Sequence, residues 1–237
     1  MCGRFSQSFD GSANEEFRRT SFADTFLVNT KDFPAPRYNV APSQLVAAIF
    51  QLRNCDQRQL HMFRWGLLPA WVKDPTNYNK PINARSETVT EKPSFRAAFR
   101  YRRCLIPADG FYEWRKAPRT KSKKQPYFFS LQDRTPLAFA GLFEEWESPA
   151  GEFIESCTIL TTTPNELVAP IHDRMPVILD PQDYALWLDP SFDKSDHRLL
   201  SLLKPYSTAA MTVFPVSTIV NSPDNDTAEC LKPIMME

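Results

Sequence analysis

The sequence predicts an α+β fold: a single domain spanning residues 1–237, built around antiparallel or mixed sheet. Short apolar or alternating runs bounded by turn residues outnumber the helical patterns along the chain. The few helical patterns do not alternate with those runs, as a doubly wound parallel sheet requires. The 21 prolines, many at the edges of these runs, imply rigid loops and sharp corners.

In chain order, CGRFSQS reads as a strand. Ser12 followed by Glu15 has capping-box spacing and predicts a helix over 12–26. Leu45 to Leu52 and Gln59 to Phe63 flank the turn-like Asn54-Cys55-Asp56 and predict a hairpin. Further strands are expected at Arg103 to Ile106, Gly110 to Trp114, Pro126 to Leu131, Leu137 to Phe143 and Phe153 to Thr162. Helices are expected at Ser94 to Phe99, Asn165 to Ala169, Pro181 to Leu188 and Asp196 to Leu203, with Pro181 suited to a first helical turn.

Composition bounds the function. A hydrophobic content of 42% with 13% aromatics is that of an ordinary globular protein, and no apolar run approaches the ~20 residues of a membrane span. The N-terminus lacks the apolar stretch of a signal peptide, so an intracellular monomer is expected: cytoplasmic or nucleoid in a bacterium, nuclear in a eukaryote. Five irregularly spaced cysteines without a C-x-x-C pair argue for reduced thiols. Three histidines without H-E-x-x-H spacing predict no metal, and six glycines without a phosphate-cradling loop predict no nucleotide cofactor. The net charge is zero but unevenly placed. Lys92 to Lys124 holds eleven bases against two acids, and Glu144 to Asp196 twelve acids against two bases. One face can therefore be basic, unless these charges simply disperse in solvent.

Cys2 is the residue whose position carries most chemistry. Once Met1 is removed, an α-amine of pKa about 7.7–8 and a thiol of about 8.5 stand on neighbouring carbons. An aldehyde condenses with the amine to an imine, and the thiol then closes a five-membered thiazolidine ring at high effective molarity. The alternative is a retained Met1 and a Cys2 that packs as a small apolar residue. Asn83 in PINARSET, Glu113 in ADGFYEW and His172 in PIHDRMP each interrupt apolar or turn-forming segments. A glutamate among aromatics loses hydration and holds its proton toward neutrality. A histidine titrates there by default, and an asparagine amide orients an amine or carbonyl without titrating. Singly, each also reads as structure: a turn cap, an outward strand residue, a loop histidine.

Together MCGRF, RYNVAPSQ (37–44), RWGLLPAW (64–71), NARSET (83–88), ADGFYEW (108–114), IHDRMPVIL (171–179) and FPVS followed by VN (214–221) resemble the SRAP family, the SOS response-associated peptidases, in order along nearly the whole chain. The resemblance implies a partly barrel-like sheet with helices around it. It implies self-removal of Met1, then a covalent link from Cys2 to abasic sites in single-stranded DNA, with lyase-type chemistry. Carried over by motif, Cys2 is the nucleophile, Asn83 positions its amine, and Glu113 and His172 transfer protons, His172 to the sugar oxygen. Arg4, Arg85 and Arg174 match family arginines that hold phosphates, a task suited to guanidinium forks. Trp65 and Trp71 are candidate stacking platforms, with core packing as the alternative, and Asn39 and Pro42 are expected in the same groove. The chain ends soon after the last motif, so no C-terminal segment for docking to replication machinery is expected. No role is assigned to residues 189–204.

Two other classes remain open on the residues. N-terminal-nucleophile amidohydrolases also begin Met-Cys-Gly, although no glycine-rich oxyanion loop follows here. A non-covalent reader of modified cytosine or of single-stranded DNA needs the groove but not Cys2.

Overall fold

Period-two alternation decides the architecture. In β3 (Leu45–Gln51), Val46, Ala48 and Phe50 enter one apolar cluster and Ile49 another, because successive strand side chains leave on opposite faces. The same split runs through β6 (Arg103–Ala108), with Cys104, Ile106 and Ala108 opposed to Leu105. In β9 (Leu137–Glu147), Leu137, Phe139 and Phe143 oppose Ala138, Ala140 and Leu142. The computed structural model describes residues 2–9, 22–28, 35–53, 57–115, 124–192 and 195–235.

Both faces are buried because the sheet curls onto itself. β3 pairs with β4 (Arg58–Trp65) and with β6, and β6 with β9. β9 pairs in turn with β10 (Phe153–Thr162), all antiparallel. β10 then meets β4 in parallel over two residue pairs, Ser156↔Arg64 and Cys157↔Trp65, completing a small, partly closed five-stranded barrel filled by side chains. Gly141 lies on the inward row of β9. A Cβ there would stand 2.8 Å from Cys104 Sγ and 2.9 Å from Ile106 Cδ1, so the barrel can close this tightly only with glycine.

Beyond this seam β10 pairs with β5 (Asn83–Arg85), and β11 (Met175–Pro176) and β12 (Ile178–Leu179) extend the same sheet. A second, antiparallel sheet has β1 (Phe5–Gln7), β2 (Arg37–Val40), β7 (Gly110–Arg115), β8 (Gln125–Leu131) and β13 (Met211–Pro215) in the order β13-β8-β7-β1-β2. Its inner face, with Phe5, Phe111, Phe129 and Met211, shares one apolar cluster with the barrel interior. Helices cover the barrel's outer face: residues 22–26 (α1), α2 (Arg96–Tyr101), α3 (Tyr184–Leu188) and α4 (His197–Ser201). They contribute Phe22, Phe26, Phe99, Trp187 and Leu199. No helix among the described residues is long and apolar enough to cross a membrane.

The expected strands and the strand-rich α+β class agree with this architecture. The capping box at Ser12 and the turn at 54–56 lie outside the described residues, although β3 and β4 pair as a hairpin with Gln51 opposite Arg58. The helix expected over Asn165 to Ala169 is instead a turn. Asn165 Oδ1 accepts the amides of Leu167 (3.1 Å) and Val168 (3.0 Å), and prolines at 164 and 170 bound the segment, so the pattern cannot propagate. Strands β2, β5 and β11 to β13 went unread, being two to five residues long. The basic run is thinned by folding. Arg103 is buried with its guanidinium on the carbonyls of Phe99, Arg100, Trp187 and Asp189, and Arg102 pairs with buried Glu144 at 2.7 Å. Residues 116–123 lie outside the described part.

Candidate active site

The start of the chain is placed by β1. Its antiparallel register with β7, Phe5 opposite Phe111 and Ser6 opposite Gly110, continues where the Tyr112 amide donates to the Arg4 carbonyl at 3.0 Å. This leads Cys2 back toward Glu113. A Cβ on Gly110 would lie 2.1 Å from the Phe129 carbonyl, so only glycine permits β7 to leave the corner after β6. Asp109 at the same corner accepts from Ser6 Oγ (2.5 Å) and from the amides of Ser8 (2.7 Å) and Phe9 (2.6 Å), fastening β1 in place.

Glu113 shares the inward row of β7 with Phe111, whose ring stacks on Phe129 at 4.9 Å, while Tyr112 faces the opposite cluster. That parity buries the carboxylate. Burial, which penalises the charged form, pushes its pKa up to about 7. Glu113 Oε2 stands 4.0 Å from His172 Nε2. His172 Nδ1 accepts the Arg174 amide at 3.0 Å, so the neutral ring carries its proton on Nε2, facing Glu113. Asp173 Oδ1 also lies 3.1 Å from Nδ1, a contact that suits the protonated ring.

Asn83 Nδ2 donates to the Cys2 carbonyl at 2.8 Å, and Asn83 Oδ1 is buried without a hydrogen-bond partner among the described residues. Cys2 is fully buried. Its thiol pKa is driven upward by burial, with the negative charge of Glu113 adding to the effect. Burial alone would also fit a packed apolar cysteine, but the polar company distinguishes the site. The fold brings together four residues from distant motifs: Cys2, Asn83, Glu113 and His172. Asn83 holds the Cys2 backbone, Glu113 is near enough for its charge to act on the thiol, and His172 faces Glu113.

The expected DNA contacts divide. Arg85 is exposed and shares a face of β5 with Asn83, two residues away. Trp71 is 57% exposed, its ring edge-on to Tyr78 at 5.8 Å and its Nε1 donating to the Pro93 carbonyl at 3.4 Å. Pro42 is exposed in the turn before β3. Trp65 is corrected: it lies on the inward row of β4, fully buried, edge-on to Phe5 at 5.1 Å and donating to the Ile82 carbonyl at 2.8 Å. It presents no face to a base. Asn39 is likewise fully buried and lines no groove. Its Nδ2 donates to the carbonyls of Val220, Ser222 and Asn225, holding the segment after β13. Arg4 Nη1 donates to Asn39 Oδ1 (2.7 Å) and to the Val220 carbonyl (2.8 Å) in the same network.

Arg174 donates through both terminal nitrogens to Glu87, at 2.6 and 2.8 Å, and through Nη2 to the Thr161 carbonyl at 2.7 Å. Glu87 and Asp109 are the site-forming residues the motifs did not single out. Glu87 sits inside NARSET, but its partner is 87 residues away and only folding joins them.

Comparison with known proteins identifies the family. The family model described as SOS response associated peptidase (SRAP) matches residues 1–223. The chain is 44% identical over 235 residues to the abasic site processing protein YoqW of Bacillus subtilis, covering 98% of this chain and 99% of that one. It is 36% identical to the abasic site processing protein HMCES of Xenopus tropicalis, over 85% of this chain and 67% of that one. A crystal structure of a Bacteroides thetaiotaomicron protein superposes with a TM-score of 0.72 at 31% identity, over 84% of this chain and 85% of the other. By its motifs, by its match to the family model and by its likeness to these relatives, the chain belongs to the SRAP family.

Proposed function

We propose that this chain processes abasic sites in single-stranded DNA by bonding covalently to them through Cys2 after removing its own Met1. The observation that carries the reading is the hydrogen bond from Asn83 to the Cys2 backbone with Glu113 close enough to act on its thiol and His172 facing Glu113. The names of the relatives, abasic site processing proteins, support the substrate.

The chemistry follows from the groups present. The protonated His172 ring gives its Nε2 proton to the ring oxygen of the abasic sugar while the Glu113 carboxylate takes the proton of the C1′ hydroxyl, and the ring opens to the aldehyde. The freed α-amine of Cys2 attacks the aldehyde carbon, and the carbinolamine loses water to give an imine. Asn83 Oδ1 accepts a hydrogen bond from that amine and aims it. The thiol then adds to the imine carbon, its proton passing to the ring nitrogen by way of Glu113, and the five-membered ring closes. Aldehyde plus aminothiol gives thiazolidine plus water, with no oxidant or metal required. A Glu113 carboxyl poised at about pH 7 serves as base in one step and acid in the next. Exposed Arg85, two residues from Asn83 on β5, offers a phosphate contact, and exposed Trp71 a stacking face.

The test is an oligonucleotide carrying one abasic site. Mixed with Met1-free protein, it yields a heat-stable, slower-migrating band on a denaturing gel that Cys2→Ala abolishes. A Cys2→Ala protein that still forms the band refutes the reading, as does full activity in material whose intact mass retains Met1. Ammonia release from glutamine would instead indicate an amidohydrolase.

A further inference from the structure

The Arg174 fork is already occupied. Both terminal nitrogens donate to Glu87 in a bidentate pair, Nη2 also holds the Thr161 carbonyl, and the Arg174 side chain is only 11% exposed. The two partners are unequal. Arg174 is fixed by burial and by a strand carbonyl, whereas Glu87 is 47% exposed on a short turn after β5 and is the partner that can swing away. A phosphodiester presents the same pair of anionic oxygens as a carboxylate, so the fork that suits one suits the other. To pair with both terminal nitrogens at once it must take Glu87's place.

We propose that Glu87 is a specificity-determining residue: its carboxylate fills the Arg174 fork in the free protein and competes with incoming phosphodiester, holding down affinity for undamaged single strands. This rests on the preceding reading, in which His172, two residues from Arg174, meets the abasic sugar of a DNA strand. Hydrogen bonds from Arg174 hold the Glu87 carboxyl down at about pH 2, so the competitor stays charged at every working pH. Exchanging the carboxylate for a phosphate gives no net gain of ion pairs at Arg174. Undamaged DNA therefore binds through the remaining contacts alone, while a strand bearing an abasic site is retained by the bond to Cys2. Selectivity for damage rises because the non-covalent share of binding is kept small.

Fluorescence anisotropy of a labelled oligonucleotide without an abasic site, across a salt series, tests this on the Met1-free protein. Glu87→Gln is expected to bind about tenfold more tightly at low salt, the size of one released charge-assisted contact. Its salt slope should steepen by about 0.7, the increment for one further phosphate on a single strand. Glu87→Asp, one methylene shorter and so reaching the fork less well, should show a smaller gain of the same sign. Glu91→Gln removes an exposed charge four residues away and controls for net charge. Unchanged or weaker binding in both Glu87 variants, or an equal gain in Glu91→Gln, overturns the proposal. The crosslinked band on an abasic oligonucleotide reports separately: its presence without the affinity gain sinks only the role of Glu87, and its absence in the parent sinks the reading beneath.

Discussion

Replacing Glu113 by glutamine keeps the side chain's size and removes its titration, which isolates the consequence of burying this carboxyl. In the folded chain the carboxyl keeps its proton up to about pH 7, against an ordinary value of 4.5, because burial disfavours its charge. Between those two pH values the folded state binds a proton that the unfolded state has released, so stability falls as pH rises. The contribution is fully present below pH 4.5 and is lost by the time pH has passed 7. Each pH unit of that interval corresponds to 1.36 kcal/mol, so the ionised carboxylate lowers stability by about 3 kcal/mol. Glu113→Gln should therefore match the parent at pH 4 and exceed it by up to about 3 kcal/mol at pH 8. In a chain of this size that is a rise in Tm of roughly 6–12 °C. Urea unfolding of both proteins at pH 4, 5, 6, 7 and 8 measures the difference directly. A stability difference that does not change with pH would refute the account of Glu113 as a carboxyl held neutral by burial. The same variant, assayed for crosslink formation, should lose the pH dependence centred near 7.

Two further substitutions follow from placement. Trp65→Ala removes a fully buried ring from the barrel and should cost about 3–5 kcal/mol in urea unfolding. Trp71→Ala should leave that stability within about 0.5 kcal/mol and weaken single-strand binding by about 1–3 kcal/mol in anisotropy titrations; equal effects of the two on stability would contradict their assigned positions. Gly141→Ala should destabilise by about 1–3 kcal/mol, because its methyl group meets Cys104 and Ile106 inside the packed barrel; an unchanged urea midpoint would mean that the barrel can relax there.

The sequence by itself carried the longer strands, since apolar runs such as LVAAIF and LAFAGLF name themselves wherever both faces of a strand are buried. It also carried the four residues gathered at the site, because Cys2, Asn83, Glu113 and His172 stand in ordered motifs and bear chemistry their neighbours lack. It misread 165–169 as a helix, where an asparagine side chain and flanking prolines make a turn, and it did not carry strands of two to five residues that exist only because β10, β9 and β8 offer an edge. Whether Trp65 or Trp71 faces solvent was decided by strand parity against a barrel interior, and the burial of Asn39 by a segment more than 180 residues downstream. The Glu87–Arg174 pair is of the same kind. Local chemistry is written residue by residue, but exposure and partnership are properties of the closed surface, and they come into being only when distant segments meet.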